Sequence, residues 1–353
     1  MDSLSFLEEL LSIPSPSGSE DAVACYLVEQ MAALGFRAHR DEVGNAVGRI
    51  GDAQAPRTVV LLGHMDTVTG HVPIRCEDGK LYGRGAVDAK GPLAAFVLAA
   101  AQAASQSEGL QLVVIGAVEE EAHSRGAHHL AETMAPPSLA IIGEPSGWQG
   151  ITLGYKGTLV VEYYLARARE HAASAWAAPA QDAVAFWNQL VAQAEAVNRG
   201  KKGRFNTLAP ALRAIRSFGD GLEEGVEMTL ALRLPPGCDV GDLKGRMDSW
   251  RGDAALTYPY HEPAFRTDKN NPLVRSLLRA IRAEGGKPRF KLKTGTADMN
   301  VVGPAWNCPI VAYGPGNSAL DHTPDEHIEI KEFWQGVAVL TRALGILGQK
   351  QLF

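Results

Sequence analysis

Cysteine is scarce and scattered: Cys25, Cys76, Cys238 and Cys308 are the four cysteines in 353 residues, and no two of them form a C-x-x-C pair. That excludes a dense disulfide framework and a thiolate metal knuckle, leaving four isolated thiols. No stretch reaches the roughly 18 consecutive apolar residues of a membrane span. The opening MDSLSFLEELLSI carries acids where a secretory leader carries lysine or arginine, which predicts a cytoplasmic protein with no membrane partner. Basic excess is also missing, with 34 Lys and Arg against 40 Asp and Glu and a net charge of -6. Nucleic acid is therefore disfavoured as a general partner. Repeats and low-complexity tracts are absent too.

What is present is apolar material in ordered patterns. The hydrophobic content of 46% supplies buried cores, and 353 residues exceed what one core usually organises, which predicts about two domains. The first third alternates strand and helix patterns: FRAHR, RTVVLLGHMD, a helix opening at Pro92, QLVVIGAVEE, a helix after Ser124, and SLAIIGE. Such alternation predicts an α/β domain with a largely parallel sheet whose strands are apolar on both faces. From Tyr155 the texture changes to two-period strands (TLVVEYYLARA, NTLAPALRAI, VEMTLALRL, ALTYPY) interleaved with helices near 179–197 and 239–250. That pattern predicts a small α+β domain with one solvated sheet face. The α/β texture resumes with NPLVRSLLRAIRAEGG, a KTGTADMN loop, the strand PIVAYG and a last helix from Lys331 to Leu347. The expectation is a discontinuous catalytic domain of residues 1–156 and 265–353, an insertion at 157–264, and a cleft between them.

Six residues then stand out: His64, Asp88, Glu120, Glu121, Glu144 and His322, each in a short segment marked by glycine or proline or directly after an apolar strand. Singly, each has a plain reading. His64 and Asp66 could be a hydrogen-bonded turn, Asp88 a helix N-cap before Pro92, Glu119–Glu121 a solvated acidic turn, and Glu144 a turn initiator before Pro145. Asp321, Asp325 and His327 compete with His322 in the same loop. A dinucleotide loop at Gly83-x-Gly85 is disfavoured because Asp88 occupies the third glycine position, where its charge would repel a pyrophosphate. Together the six have a chemical logic. Two neutral imidazoles and three carboxylates nearly neutralise a pair of divalent ions that share a hydroxide, and one glutamate is left to move a proton. In open α/β sheets such side chains meet at the strands' carboxyl ends.

Their order along the chain is G-H-x-D, G-R-G-x-x-D-x-K-G, E-E-E after a strand, G-E-P-S, G-T-x-D, and G-P-G followed by H-T-P-x-E. This succession resembles the M20 family of metallopeptidases and deacylases over nearly the whole chain. The resemblance implies a zinc-peptidase-like catalytic domain with a ferredoxin-like lid and dimerisation domain. It also implies a homodimer and two Zn2+ per subunit, with Co2+ as a substitute. His64 and Glu144 would hold one ion, Glu121 and His322 the other, and Asp88 would bridge them. Glu120 would be the general base, with Asp66 orienting His64. His171 in AREHAASAW matches a histidine that reaches the partner subunit's site, although Glu170 stands where the family has glycine. Asn206, Gly295 and Thr296 would contact substrate.

Length and the segments EEEAHSRGA and HTPDEHIEI look most like the branch that acts on N-acyl amino acids in amino-acid biosynthesis. That implies hydrolysis of an amide to release lysine or ornithine from an amino-group carrier protein. Acetylornithine deacetylation and dipeptide hydrolysis are the alternatives, and a metal-free dimeric binding module is a remote one. In the succinyl-diaminopimelate branch an arginine follows G-T-x-D-x; Asn300 stands there instead, which argues against that substrate. Two basic runs, Arg199–Arg204 and Lys287–Lys293, interrupt an acidic protein. A run of charge is most often a solvated face, yet these would suit a small acidic carrier docking its tail.

Overall fold

Three strands of nearly unbroken apolar sequence lie side by side and parallel: Leu110–Ala117, Arg57–His64 and Leu139–Gly143. Their residues are almost all buried, as expected for strands covered on both faces. The computed structural model describes residues 3–107, 109–169 and 178–349. By contacts the chain divides into two units, Met1–Gly154 with Thr267–Leu292 and Ala297–Phe353, and Tyr155–Arg266 with Lys293–Thr296.

In the first unit the sheet runs in the order Arg37–Arg40, Ala46–Gly51, Leu110–Ala117, Arg57–His64, Leu139–Gly143, Ile310–Ala312, Gly150–Tyr155. Ile310–Ala312 extends the parallel set, whereas Arg37–Arg40 and Ala46–Gly51 join antiparallel at one side and Gly150–Tyr155 at the other. The core gathers Leu61, Val114 and Ile141 from the strands with Phe96 of helix Lys90–Ala103 and Phe333 and Leu340 of helix Ile330–Gly348. Two strand-end glycines show why the sequence places them there. A Cβ on Gly143 would stand 2.8 Å from the Phe96 ring and 3.1 Å from the Gly63 backbone, and one on Gly63 would stand 3.3 Å from Leu93. The helix therefore packs tightly on the strand ends that precede Glu144 and His64.

A separate three-stranded sheet pairs His327–Glu329 with Lys80–Tyr82, and Lys80–Tyr82 with Arg75–Glu77. The helix expected from Pro92 begins two residues earlier, at Lys90, with Ala89 at its N-cap. The KTGTADMN segment is only partly a loop, because helix Asp298–Trp306 starts inside it. Asn300 explains that start: its side-chain oxygen accepts from Ala297 N at 3.0 Å, binding the first turn to its cap.

The second unit is a β-α-β-β-α-β arrangement. Strands Gly157–Ala168, Ala209–Gly219, Glu223–Leu234 and Ala255–Glu262 form an antiparallel sheet, and helices Pro179–Asn198 and Val240–Trp250 lie in the chain between them. With Gly157–Ala168 and Glu223–Leu234 central, the order is the ferredoxin-like one that the family resemblance implies. Leu159, Val161, Tyr163 and Leu165 point to the core with Leu230 and Leu232, against Phe186 and Leu190 of the first helix. The alternating residues Glu162 and Tyr164 face outward. Among the described residues no helix is long and apolar enough to cross a membrane.

Candidate metal centre

His64 is the last residue of its strand, Glu144 directly follows Gly143, and Glu120 and Glu121 follow Ala117 by a short turn. Because these strands are adjacent and parallel, their carboxyl ends deliver all four side chains to one end of the sheet. Asp88 comes from the glycine-rich turn before helix Lys90–Ala103 and is not that helix's N-cap. His322 is supplied by the loop after Ile310–Ala312, with its backbone in the left-handed region at φ 62. A non-glycine residue held there is uncommon and costs about 1 kcal/mol, which the surrounding contacts must offset.

The geometry centres on Asp88. Its Oδ1 lies 3.1 Å from His64 Nε2, and its Oδ2 lies 3.2 Å from His322 Nε2. One carboxylate thus presents one oxygen to each of two imidazoles. His322 Nε2 is also 2.8 Å from Glu121 Oε1, and Glu120 Oε2 lies 4.0 Å from His64 Nε2. Ligand atoms of His64, Asp88 and Glu121 all fall within 4.8 Å of one another. His322 joins that group through Asp88 and Glu121, and Glu144 is near enough for its charge to act on Glu120. Glu119 turns away, its carboxylate 2.7 Å from Arg125.

Asp66 sits beneath the cluster, fully buried. His64 Nδ1 lies 3.0 Å from the Asp66 backbone carbonyl and 3.3 Å from its Oδ1, and Ser17 donates a hydrogen bond of 2.7 Å to its Oδ2. Its two oxygens also accept the backbone N–H groups of Glu120 and Glu121 at 3.1 and 3.0 Å. One side chain therefore orients the imidazole and fixes the turn that carries two glutamates. Glu20 holds the same turn one residue earlier, accepting from Glu119 N at 3.1 Å.

Proton affinities show the charge the cluster requires. Burial alone would lower His64, but the carboxylates of Asp66 and Asp88 override it and hold the imidazole well above its usual value. His322, bonded to Asp88 and Glu121, is pushed up to about 10. Burial pushes Glu120 well up, and the neighbouring charges of Glu144, Glu121 and Asp298 add to it. Burial also raises Glu121, with Asp88 adding to it. Buried acids that cling to protons beside imidazoles that bind theirs more tightly are a site short of positive charge. Divalent ions held by deprotonated carboxylates and neutral imidazoles would supply that charge and release those protons. The donor set of nitrogen and carboxylate oxygen, without sulfur, suits zinc and its neighbours.

Several participants have no role assigned from the sequence, although Asp298, Lys90 and Glu326 stand in the motifs G-T-x-D, D-x-K-G and H-T-P-x-E. Asp298, at the start of its helix, is buried with one oxygen lacking a hydrogen-bond partner; burial and then Asp66 raise it to about 6. Lys90 is buried and lowered to about 8 by that burial; its ammonium donates to the carbonyls of Leu10 and Ile13, at and beyond the last turn of helix Ser3–Ser12. Glu332 accepts from Trp148 N and Gly316 N at 3.1 and 3.2 Å, tying the loop after Glu144 to the Gly-Pro-Gly loop before His322. Glu326 is buried under the Asp88 turn. The available hint was an acid following a glycine-rich or proline-marked segment, the same hint that Asp321 and Asp325 offer.

His171 falls outside the described residues. Asn206 and Thr296 belong to the second unit. Asn206 donates to Lys202 O at 2.9 Å and closes its own exposed loop, and Thr296 Oγ1 accepts from Arg233. Gly295 has nothing within 4 Å of where a Cβ would stand. In the same unit Lys156 is buried, donates to the carbonyls of Arg204 and Thr207, and is lowered to about 8 by that burial and by Arg233 and Arg204.

The chain is similar to known proteins in sequence and in fold. The model of peptidase family M20/M25/M40 matches residues 60–345. The chain is 45% identical over 347 residues to the LysW-lysine hydrolase of Deinococcus radiodurans, covering 96% of this chain and 95% of that protein. It is 36% identical to a putative LysW-lysine/LysW-ornithine hydrolase of Pyrococcus furiosus, covering 97% and 96% of the two chains. In fold it is similar to an M20 family metallo-carboxypeptidase from Sulfolobus solfataricus, with a TM-score of 0.82 at 19% identity and coverage of 99% of both chains.

Proposed function

The chain belongs to peptidase family M20 and is a metal-dependent hydrolase, and from that premise we propose that it cleaves the amide linking lysine, or ornithine, to an amino-group carrier protein. The observation that carries the reading is the Asp88 carboxylate spanning the two imidazoles, with Glu120 beside them. In this reading His64 and Glu144 would hold one zinc ion, Glu121 and His322 would hold a second, and Asp88 would be shared between them. The bound ions would polarise the scissile carbonyl and acidify the attacking water.

The remaining work falls to the chain's own groups. Glu120, buried among carboxylates, takes a proton from the attacking water and delivers it to the leaving amine nitrogen. Asp66 keeps His64 facing Asp88 and holds the glutamate turn rigid, so the base does not wander from the reacting atoms. His171, contributed by a second copy in a homodimer, donates to the developing oxyanion, an interaction worth about 3 kcal/mol.

Relatives named for a carrier-linked substrate favour that class over a free acyl amino acid. The surface supports the same choice. Strand Arg289–Lys293 alternates its cations with Phe290 and Leu292, which are 45% and 39% exposed, and Lys291 Nζ lies 3.7 Å from where a Cβ on Gly147 would stand, close to Glu144. An acidic carrier meets complementary charge and apolar contact there. The test is direct assay of the purified protein against carrier-linked lysine, acetylornithine and a dipeptide. A kcat/KM for the carrier-linked substrate at least 10-fold above the other two supports the proposal, and a preference for acetylornithine overturns the choice of substrate.

A further inference from the structure

Glu326, fully buried, makes four hydrogen bonds to one short turn. Its Oε1 accepts the backbone N–H groups of Gly85, Val87 and Asp88 at 3.0, 3.0 and 3.1 Å. Its Oε2 accepts from Arg84 Nη1 at 2.7 Å, and Arg84 Nε in turn donates to Gly70 O at 3.1 Å. The contact continues on both sides. Gly83 N donates to Glu326 O at 3.2 Å, and the ladder then pairs His327 with Tyr82, Ile328 with Leu81 and Glu329 with Lys80. The Tyr82 and His327 rings lie 4.7 Å apart, with the Arg75 guanidinium 3.6 Å over the Tyr82 ring.

Glu326 also follows His322 by four residues in one loop. The segment that delivers His322 is therefore fastened, through one carboxylate, to the segment that delivers Asp88. Across this joint Asp88 Oδ2 and His322 Nε2 face each other at 3.2 Å. We infer that Glu326 is a positioning residue that sets the spacing between Asp88 and His322, and through it the affinity of the centre for its ions. The physical reason is that neither partner segment is held there by long secondary structure. The 83–89 turn lies between a three-residue strand and a helix, and residues 317–326 form an irregular loop. A buried carboxylate accepting from several N–H groups is a strong, directional tether for such backbone. Removing it leaves three N–H groups, two of them buried, without that acceptor at the point where Asp88 is aimed.

The inference rests on the reading of this cluster as a metal centre, and the test separates the two. Zn2+ affinity of the metal-free protein is measured by competition with a chromophoric chelator for the wild type, Glu326→Ala, Glu326→Gln and Leu340→Ala, alongside thermal midpoints in EDTA. Leu340 is a buried core residue of helix Ile330–Gly348 and reports what loss of stability alone does. Glu326→Ala is expected to weaken zinc binding about 10- to 100-fold. Glu326→Gln should weaken it less, because the amide oxygen still accepts from the turn while its NH2 faces Arg84. Leu340→Ala should lower the midpoint with affinity within about twofold of wild type. Equal zinc affinity in wild type and Glu326→Ala overturns the inference, whereas a wild type that binds no zinc overturns the metal centre itself. If Glu326→Ala does not fold, Glu326→Gln and Arg84→Met decide the matter, and unchanged affinity in both counts against the proposed role.

Discussion

In the first unit acidic side chains are buried together at the ends of apolar strands, whereas in the second Glu262 is the one buried acid among the described residues and strands alternate core with solvent. Arg57–His64 is buried from Val59 onward and ends in an imidazole surrounded by carboxylates. Gly157–Ala168, a longer strand, places Glu162 and Tyr164 outward and keeps its inward face aliphatic and aromatic. The second unit's buried cation, Lys156, is satisfied by main-chain carbonyls. Burying like charges together costs several kcal/mol unless a counter-charge is supplied, so the first unit has an arrangement that makes sense only with bound cations. The second has an arrangement that makes sense as a scaffold and surface.

The contrast predicts that substitutions at the strand ends change metal binding and turnover by orders of magnitude, while those in the second unit, the proposed oxyanion donor His171 apart, change stability or substrate preference modestly. The largest effect is expected at the base. Glu120→Gln should lower kcat on carrier-linked lysine about 1000-fold or more with metal content unchanged; loss of metal together with activity would make Glu120 a ligand instead. Next comes Asp66→Asn, which should weaken zinc binding about 10- to 100-fold, read by chelator competition. An unchanged affinity would leave Asp66 a purely structural residue of the turn.

At the surface, Arg289→Glu combined with Lys291→Glu should reduce kcat/KM on the carrier-linked substrate about 10-fold and flatten its salt dependence. Turnover of a small acyl-lysine should stay within twofold, and an equal loss on both substrates would remove the docking role. In the second unit, Lys156 binds its proton less tightly folded, at about 8, than the 10.5 of an ordinary lysine. Between those values the unfolded chain carries more protons, so stability rises with pH from about 8 to 10.5. Thermal midpoints of Lys156→Met should lack that rise, and an identical pH profile would contradict the burial of the ammonium. The smallest effect is expected of Asn206→Ala, about 0.5–1 kcal/mol of stability from one loop-closing hydrogen bond.

How far the sequence reveals this molecule follows from the same contrast. Uninterrupted apolar runs ending in Gly-His, Gly-Glu or a run of glutamates mark parallel strands and a site at their ends, because covered strands have no polar face to blur the pattern. The second unit was legible as a small α+β domain from strict alternation and two interleaved helices, and its ferredoxin-like character from the family resemblance. Less visible was the tether network. Glu20, Glu326 and Glu332 work by accepting backbone N–H groups from segments as many as 241 residues away, and nothing in a local pattern marks an acid as an anchor. Asn300 shows the converse: a residue notable for the arginine it replaces is a buried cap for the helix beginning at Asp298.

The most direct test of the central claim is a titration of the metal-free protein with Zn2+ while hydrolysis of carrier-linked lysine is followed. Activity should be absent at the start and saturate at two ions per chain, because Asp88 offers one oxygen to each of two imidazole-bearing sites. Full turnover in the metal-free protein, or saturation at a single ion with no further binding, would contradict the account.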